Sequence, residues 1–331
     1  MAYRLLPDED LGEGVARIAA EELDSAIGEL RDNLAEDPVN AIHSARKSLK
    51  KERALLRLVR EAVYPDVYRD ENEVFRDAGR RLSGTRDAQV ALQTLDKLRE
   101  HLAGRLPAAT FDALEDALRS RTPRTGEGSA VRAVASAVAG DLEAARDRLL
   151  RWTGHAISWK QIERGLDRTY KRGRAALADV EADPDDEHLH EWRKRAKDLW
   201  YHQRVLHPLW PEIMEAQADR LDQLGELLGD DQDLANLRRL LTTDHSLTST
   251  VADDLDPVVE LIDLRRAQLT DEALRLGRRV YAESPKAYRE RHQSYYRARG
   301  RPDGVPGHDT DVETGAVSAR RRLQPGTGSV T

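Results

Sequence analysis

Hydrophobic residues recur at helical spacing along most of the chain. Val15, Ile18, Ala19, Leu23 and Ile27 follow one another at intervals of one, three or four residues, which places their side chains on one face of a helix. No segment shows the apolar–polar alternation of a β-strand. The pattern therefore predicts an all-α fold. The predicted helices cover residues 12–36, 39–62, 67–82, 86–103, 108–120, 130–151, 157–180, 187–206, 212–228, 231–241 and 251–282.

Two parts of the chain resemble each other at an offset of 147 residues. Both hold the pattern His-x-x-Arg-Lys-x-x-Lys, in His43–Lys50 and again in His190–Lys197, and the same offset relates Arg17 to Arg164. A repeat of this length is longer than a solenoid unit and indicates a duplicated domain. We expect one helical repeat over 10–125, a second over 126–290, and a disordered Gly/Pro-punctuated tail over 291–331.

The repeated pattern predicts two helices with one basic face each. At 100° per residue, the repeated cations and Arg57 all fall within about 60° of His43. The second helix has the same arrangement, with Tyr201 and Arg204 on its basic side. Apolar residues lie on the opposite faces and predict that each helix packs by that side. They are Ala41, Ala45, Leu49, Leu56 and Val59 in the first helix, and Trp192, Ala196, Leu199 and Leu206 in the second.

The distribution of charge matters more than its sum. The 331-residue chain has a formal net charge of −7, which by itself argues against an acidic partner. Of 53 basic residues only nine are Lys, and five of these lie within 47–51 and 194–197. Like charges at this spacing repel one another on a helix, by a few tenths of a kcal/mol per pair. Acidic neighbours would explain such a face, but its repetition in both halves favours a bound anion.

Phosphate is the anion that these residue types fit best. Arg offers a two-pronged hydrogen-bond donor and Lys a mobile point charge, and a histidine beside an anion gains charge. Binders of single-stranded nucleic acid usually add stacking aromatic residues, and only Tyr201 lies within these faces, although a duplex contacted at its backbone stays open. The candidate binding residues are Arg17, His43, Arg46, Lys47, Lys50, Arg57, Arg81, Arg86, Lys160, Arg164, Lys171, Arg174, His190, Arg193, Lys194, Lys197, Tyr201 and Arg204.

At these residues the sequence resembles the CHAD family, the conserved histidine alpha-helical domain, over roughly 10–290. The resemblance is carried by the two segments His43–Arg57 and His190–Arg204, with support from Leu82–Asp87, Leu227–Asp233 and Gly165–Arg174. It implies two helical bundles related by pseudo-twofold symmetry around a basic central cleft that binds inorganic polyphosphate, and an association with polyphosphate granules. Departures between the repeats, such as Ala54 against Tyr201 and Arg86 against Gln232, predict a lopsided cleft.

Three other functions stay open at this point. His188 and His190 could serve a metal-binding helical protein, but their imidazoles lie about 200° apart on a helix, which disfavours one shared ion. An enzyme acting on phosphate esters or polyphosphate would need an acidic metal cluster or a phosphate loop, and Asp230, Asp231 and Asp233 are expected to cap a helix start. A protein-recruiting scaffold is the third.

We therefore expect a non-catalytic polyanion-binding protein with no catalytic residue, no metal and no cofactor. Nucleic acid is expected to bind only as a generic polyanion, and no membrane contact is expected. The absence of cysteine excludes disulfides and thiol chemistry. The expected location is the cytoplasm, with polyphosphate granules implied by the resemblance alone.

Overall fold

Helices make up all the regular structure in the part of the chain that the structure describes. This computed structural model describes residues 3–83, 87–101, 105–120, 128–152, 156–244, 247 and 255–299, and these residues contain no strand. The predicted all-α class is confirmed. The helices are α1 (Leu11–Gly28), α2 (Pro38–Leu58), α3 (Pro65–Arg81), α4 (Asp87–His101), α5 (Ala108–Ser120), α6 (Gly128–Trp152), α7 (Trp159–Ala182), α8 (Asp186–Val205), α9 (Pro211–Thr243), α10 (Leu255–Val280) and α11 (Pro285–Ala298).

Local sequence signals explain most helix starts. The Asp37 side chain accepts a hydrogen bond from the backbone N–H of Asn40, and Pro38 occupies the first turn of α2. Asp185 caps α8 in the same way through His188 N, and Ser158 and Gln161 form a capping box at α7. A π-helical turn at Glu29–Asn33 extends α1, so the predicted segment 12–36 is helical over most of its length.

Two expectations about the elements were wrong. Residues 212–228 and 231–241 were expected as separate helices, but α9 runs through Gly229 without a break. Helix α11 was missed, and it crosses the start of the tail expected from 291; it begins at Pro285, with Ser284 as its N-cap. Residues 300–331, the rest of that tail, lie outside the described residues.

Two hydrophobic cores hold the helices together. The larger core takes side chains from α1, α2, α3, α6, α7 and α8 and from parts of α9, α10 and α11. The smaller core joins α4 and α5 to the second half of α9 and to α10. Both cores combine residues from before and after 125, and residues up to Arg299 form one compact unit. The boundary expected at 125 is therefore crossed by packing, while the division into two sequence repeats stays a prediction.

Several helices start at nearly constant spacing. Helix α7 starts 148 residues after α1, α8 starts 148 after α2, and α10 starts 147 after α5. A short 3-10 turn follows each basic helix, at Arg60–Ala62 and at His207–Leu209. The spacing is interrupted at α9, which is one continuous helix across positions that lie 147 residues after α3 and after the start of α4.

None of the described helices combines the length and apolar composition that crossing a membrane requires.

Candidate anion-binding site

Helix α2 carries the first basic face, here called the first stripe and defined as His43, Arg46, Lys47 and Lys50. His43, Lys47 and Lys50 are exposed and Arg46 is half-buried. The apolar side is buried as predicted: Ala41, Ala45, Leu49, Leu56 and Val59 are each at most 3% exposed. Burial of that side fixes the rotation of α2 about its axis, and the stripe consequently lies on the opposite face of the helix.

Helix α8 carries the second stripe, defined as His190, Arg193, Lys194 and Lys197. His190 and Lys194 are exposed, and Arg193 and Lys197 are half-buried against α9. Burial and then the neighbouring Lys194 and Arg193 lower the pKa of His190, while a hydrogen bond with Gln232 opposes that shift. The apolar side of α8, with Trp192, Ala196, Leu199 and Leu206, is at most 1% exposed.

Two glycines of α9 make room for the second stripe. A Cβ atom at Gly225 would lie 2.5 Å from Cε of Lys197, and one at Gly229 would lie 3.0 Å from an Nη atom of Arg193. The side-chain Nε of Arg193 is buried without a hydrogen-bond acceptor among the described residues. Gly229, which the sequence suggested as a break between helices, thus serves close packing against a cation.

The two basic helices meet near their C-terminal ends. The Arg57 guanidinium of α2 donates to Oδ1 of Asp198 in α8 at 3.0 Å, and Nε2 of His202 lies 2.9 Å from the Ala54 carbonyl oxygen. Arg57 lies on the same face of α2 as the first stripe. The face that bears the first stripe is therefore the face that turns toward α8.

An arginine cluster surrounds this junction, defined as Arg53, Arg57, Arg172 and Arg195. Arg195 is only 7% exposed and pairs with Asp198 at 3.1 Å. Burial and the nearby Arg57 lower the pKa of Arg53 to about 10. Burial and Arg195 likewise lower the pKa of Arg172, which lies 3.6 Å from Glu191. Burial is the larger cause of both shifts, and the neighbouring arginines add to it.

Sequence reasoning missed Arg53 and Arg195 as members of this region. Arg53 lies about 80° from His43 on α2, just outside the 60° range, and Arg195 lies on a different side of α8 from the second stripe. Their convergence depends on how α2, α7 and α8 pack, so a single-helix projection could not have found it.

Several other candidate residues pair with acidic side chains that lie outside both stripes. Arg17 binds Glu9 through two nitrogens, at 2.6 and 2.8 Å, which raises the pKa of Arg17. Arg81 pairs with Asp141 at 2.6 Å, and Lys171 pairs with Asp167 at 2.7 Å. Lys160 and Arg164 are exposed on α7. Arg86 lies outside the described residues.

Two candidates occupy positions unlike the expected ones. Tyr201 is 5% exposed, its ring packs edge-on against Tyr3 at 5.7 Å, and burial raises its pKa to about 12. Arg174 donates to the carbonyl oxygens of Tyr281, at 2.6 Å, and Glu283 just after α10. Both side chains are thereby engaged in packing between helices. Arg204 lies over the rings of Tyr3 and Trp200.

Several acidic groups of the described residues serve helix ends and ion pairs. Asp183, Asp185 and His188 form a surface group close enough to hold an ion, but Asp185 already caps α8. Asp230 and Asp231 were expected to cap a helix, and this was wrong because α9 is continuous there. Asp230 pairs with Lys97 at 2.7 Å, and Asp231 pairs with Arg266 at 2.9 Å.

Comparison with known proteins identifies the family of the chain. The sequence-family model of the CHAD domain matches residues 17–242, which is more than half of the chain and includes both stripes. The match is shorter than the expected 10–290, since α10 and α11 lie beyond its end. No curated protein matches the sequence. On the strength of the family match, the chain belongs to the CHAD-domain family.

Proposed function

We propose that this chain binds inorganic polyphosphate through a basic cleft formed by the first stripe, the second stripe and the arginine cluster between them. The observation that carries the proposal is the Arg57–Asp198 ion pair, 3.0 Å long, which joins the two basic helices. Because Arg57 shares a face with the first stripe, this pair turns that face toward α8. The CHAD family is known for polyphosphate binding, which supports the same ligand.

The ion pairs of the second stripe are of a kind that a polyanion can replace. Lys194 pairs with Glu191 and Lys197 with Asp222, and both carboxylates are about 40% exposed. Exposed pairs contribute only about 0–1 kcal/mol each, so exchanging a carboxylate for a phosphate oxygen costs little. The buried Arg57–Asp198 pair differs, with side chains 16% and 10% exposed. Arg57 therefore positions the helices, and the exposed stripe residues contact the ligand.

The helix spacing supports an origin by internal duplication. Helices α1 and α7 start 148 residues apart, and so do α2 and α8, which carry the two stripes. Two copies of one anion-binding helix would bring two basic faces to a common junction, so that one chain of phosphates contacts both. The proposed cleft is lopsided. Among the described residues, Gly225 and Gly229 of α9 lie beneath the second stripe only, and the α7 cations lie beside that stripe.

Binding without catalysis is part of the proposal, and the chain is then expected to reside where polyphosphate accumulates, at polyphosphate granules. A long linear polyanion needs only charge and hydrogen-bond donors along its path. Incubation of the protein with polyphosphate, followed by measurement of released phosphate, tests the enzymatic alternative. Steady release above a heat-denatured control would overturn the non-catalytic assignment.

The direct test compares polyphosphate binding between two fourfold alanine variants. One removes the stripe residues Arg46, Lys50, Arg193 and Lys197, and the matched control removes Arg69, Lys97, Arg119 and Lys286, which are at least 65% exposed and lie outside the stripes. Charged hydrogen bonds contribute about 1.5–3 kcal/mol each, so the stripe variant should bind at least about 100-fold more weakly. The control should lose far less.

Salt dependence separates a specific cleft from generic charge. Affinity for polyphosphate, RNA and DNA is measured by titration at several salt concentrations, with helicity checked by circular dichroism. We expect polyphosphate binding to persist at salt concentrations where nucleic acids have dissociated. Equal losses in both alanine variants, or parallel salt curves for all three polymers, would contradict the cleft assignment.

A further inference from the structure

One cavity among the described residues is lined by none of the stripe residues. It is a groove of about 890 Å³ between the first half of α9 and the second half of α10. At their other ends these two helices pack together through the smaller core. The floor of the groove is completed by Leu199 of α8 and Tyr288 of α11.

The groove has the length and periodicity of a helix-binding site. Residues of α9 line it from Ile213 to Leu227 at helical spacing, and residues of α10 line it from Glu272 to Val280 in the same way. At 1.5 Å per residue the α9 wall is about 21 Å long, which accommodates a helix of about 14 residues. An amphipathic helix lying in such a groove contacts it through side chains at i, i+3, i+4 and i+7.

The groove combines an apolar floor with a basic rim. Leu221 is buried in the floor, and Ile213, Leu227, Leu276 and Val280 are half-buried around it. Three exposed arginines line the two walls: Arg220 on α9, and Arg275 and Arg279 on α10. Across the described ranges, no carboxylate lies within 4.0 Å of any of these three guanidinium groups.

Two acidic residues also line the groove: Glu272, and Glu283, which pairs with the fourth lining arginine, Arg291, at 2.7 Å. The rim is therefore positive in a chain whose net charge is −7. A ligand that complements this surface must be apolar on one side and acidic along both edges.

Aromatic residues continue the groove at one end. Trp210 is 47% exposed one turn before Ile213, and its ring packs edge-on against Tyr295 at 5.0 Å. Exposed Trp, Tyr and Arg together are typical of the residues that dominate binding energy in protein interfaces. An inorganic polyanion would leave the apolar floor and these rings in water, and the α10 wall lies beyond the part of the chain that the CHAD model matches.

We propose that this groove binds an acidic amphipathic helix of a partner protein. The apolar side of the helix would cover the floor between α9 and α10, and its acidic flanks would pair with Arg220, Arg275 and Arg279. The site is separate from the polyphosphate cleft, so the chain would connect a polyanion to a second protein. This inference does not rest on the proposed function.

The test uses fluorescein-labelled synthetic peptides of about 14 residues and measures fluorescence anisotropy with the full-length protein. One set carries leucine, isoleucine or phenylalanine at i, i+3, i+4, i+7 and i+11, with glutamate and alanine elsewhere. The matched set has the same compositions in scrambled order, so that charge is unchanged and the apolar stripe is lost. We expect at least one patterned peptide to bind at least about tenfold more tightly than its scrambled partner.

Charge-reversal variants then locate the site. The double variant R275E/R279E and the single variant R220E should each weaken peptide binding, the double variant by about 100-fold. R239E is the control, since Arg239 is an exposed arginine of α9 that does not line the groove. Thermal unfolding of each variant checks that the helices remain packed, and A216W provides a steric block that leaves the rim charges intact.

Polyphosphate affinity distinguishes this proposal from the proposed function. R275E/R279E should lose peptide binding and retain polyphosphate binding, and the fourfold stripe variant should show the reverse. Equal binding of patterned and scrambled peptides, absence of binding to every patterned peptide, or a parallel loss of polyphosphate and peptide in R275E/R279E would each overturn the helix-binding site.

Discussion

His202 joins the two basic helices through a buried contact, which makes their packing sensitive to acid. Its imidazole is fully buried and Nε2 faces the Ala54 carbonyl oxygen at 2.9 Å. Burial lowers the pKa of His202 to about 4, below the value near 6.5 of an unfolded chain. Between these values the unfolded chain binds a proton that the folded protein does not. Stability is therefore lost as pH falls below 6.5, by about 2 kcal/mol at pH 5.

Urea unfolding of the wild type and of His202→Gln at pH 7 and pH 5 tests this. The glutamine amide can donate to Ala54 without titrating, so the variant should lose about 2 kcal/mol less over the same interval. His101→Gln is the control, because His101 is exposed. His292, also buried with its pKa lowered to about 4, contributes equally to all three proteins. Identical pH dependence in all three would refute the role of His202.

At Gly165, helix α7 lies very close to the backbone at the end of α2. A Cβ atom there would lie 1.9 Å from the Leu58 carbonyl oxygen, so an alanine can be accepted only if a helix moves. We expect Gly165→Ala to destabilise the protein by about 3 kcal/mol, the range of an overpacked core. Gly140→Ala in α6 is the control, since nothing lies within 4 Å of its Cβ position. It should be neutral or stabilising, by up to about 1 kcal/mol. Thermal unfolding shows whether the two variants shift in opposite directions.

At the scale of elements, hydrophobic spacing and capping residues predicted most helices, and long-range packing explains the exceptions. Gly229 resembled a helix break, yet it accommodates Arg193 within a continuous α9. Helix α11 was missed although Ser284 and Pro285 are ordinary start signals, because Tyr288 and His292 are its only buried residues. The basic faces could be predicted from the rotation of 100° per residue in an α-helix. The burial of Tyr201 could not be predicted in this way, because its ring is covered by Tyr3, which is remote in sequence.

The acidic segment of α9 ties that helix to α10. Asp231 is 2% exposed and pairs with Arg266, whose side chain is 17% exposed. Asp231→Ala would leave the Arg266 charge half-buried with only the exposed Asp186 beside it, at a cost of about 3 kcal/mol. Asp230→Ala removes an adjacent but exposed pair with Lys97 and should cost less than about 1 kcal/mol. Urea unfolding at pH 7 compares them, and similar midpoints would contradict a structural role for Asp231.

At the scale of the whole molecule, a negative net charge does not oppose the proposed binding of a polyanion. The net charge of −7 repels a distant polyanion only weakly at physiological salt, because charges are screened beyond about 8 Å. Within that distance, the stripes and the arginine cluster determine the local potential. A negative total and a polyphosphate-binding surface are therefore compatible, and net charge alone could not have predicted either surface.

The matched part of the chain is not the whole folding unit. The CHAD match ends at residue 242, but Val258, Ile262 and Leu269 of α10 complete the smaller core against α9. A chain ending at 242 would expose this side of α9 and lose the α11 contacts with α7. We expect it to aggregate or to unfold at least about 10 °C below the full-length protein, since several buried side chains of about 2 kcal/mol each are exposed. A chain ending at Arg299 retains every described contact and should unfold with full-length cooperativity. Calorimetry compares the Tm of the three chains. An unchanged Tm for the chain ending at 242 would show that α10 and α11 are dispensable.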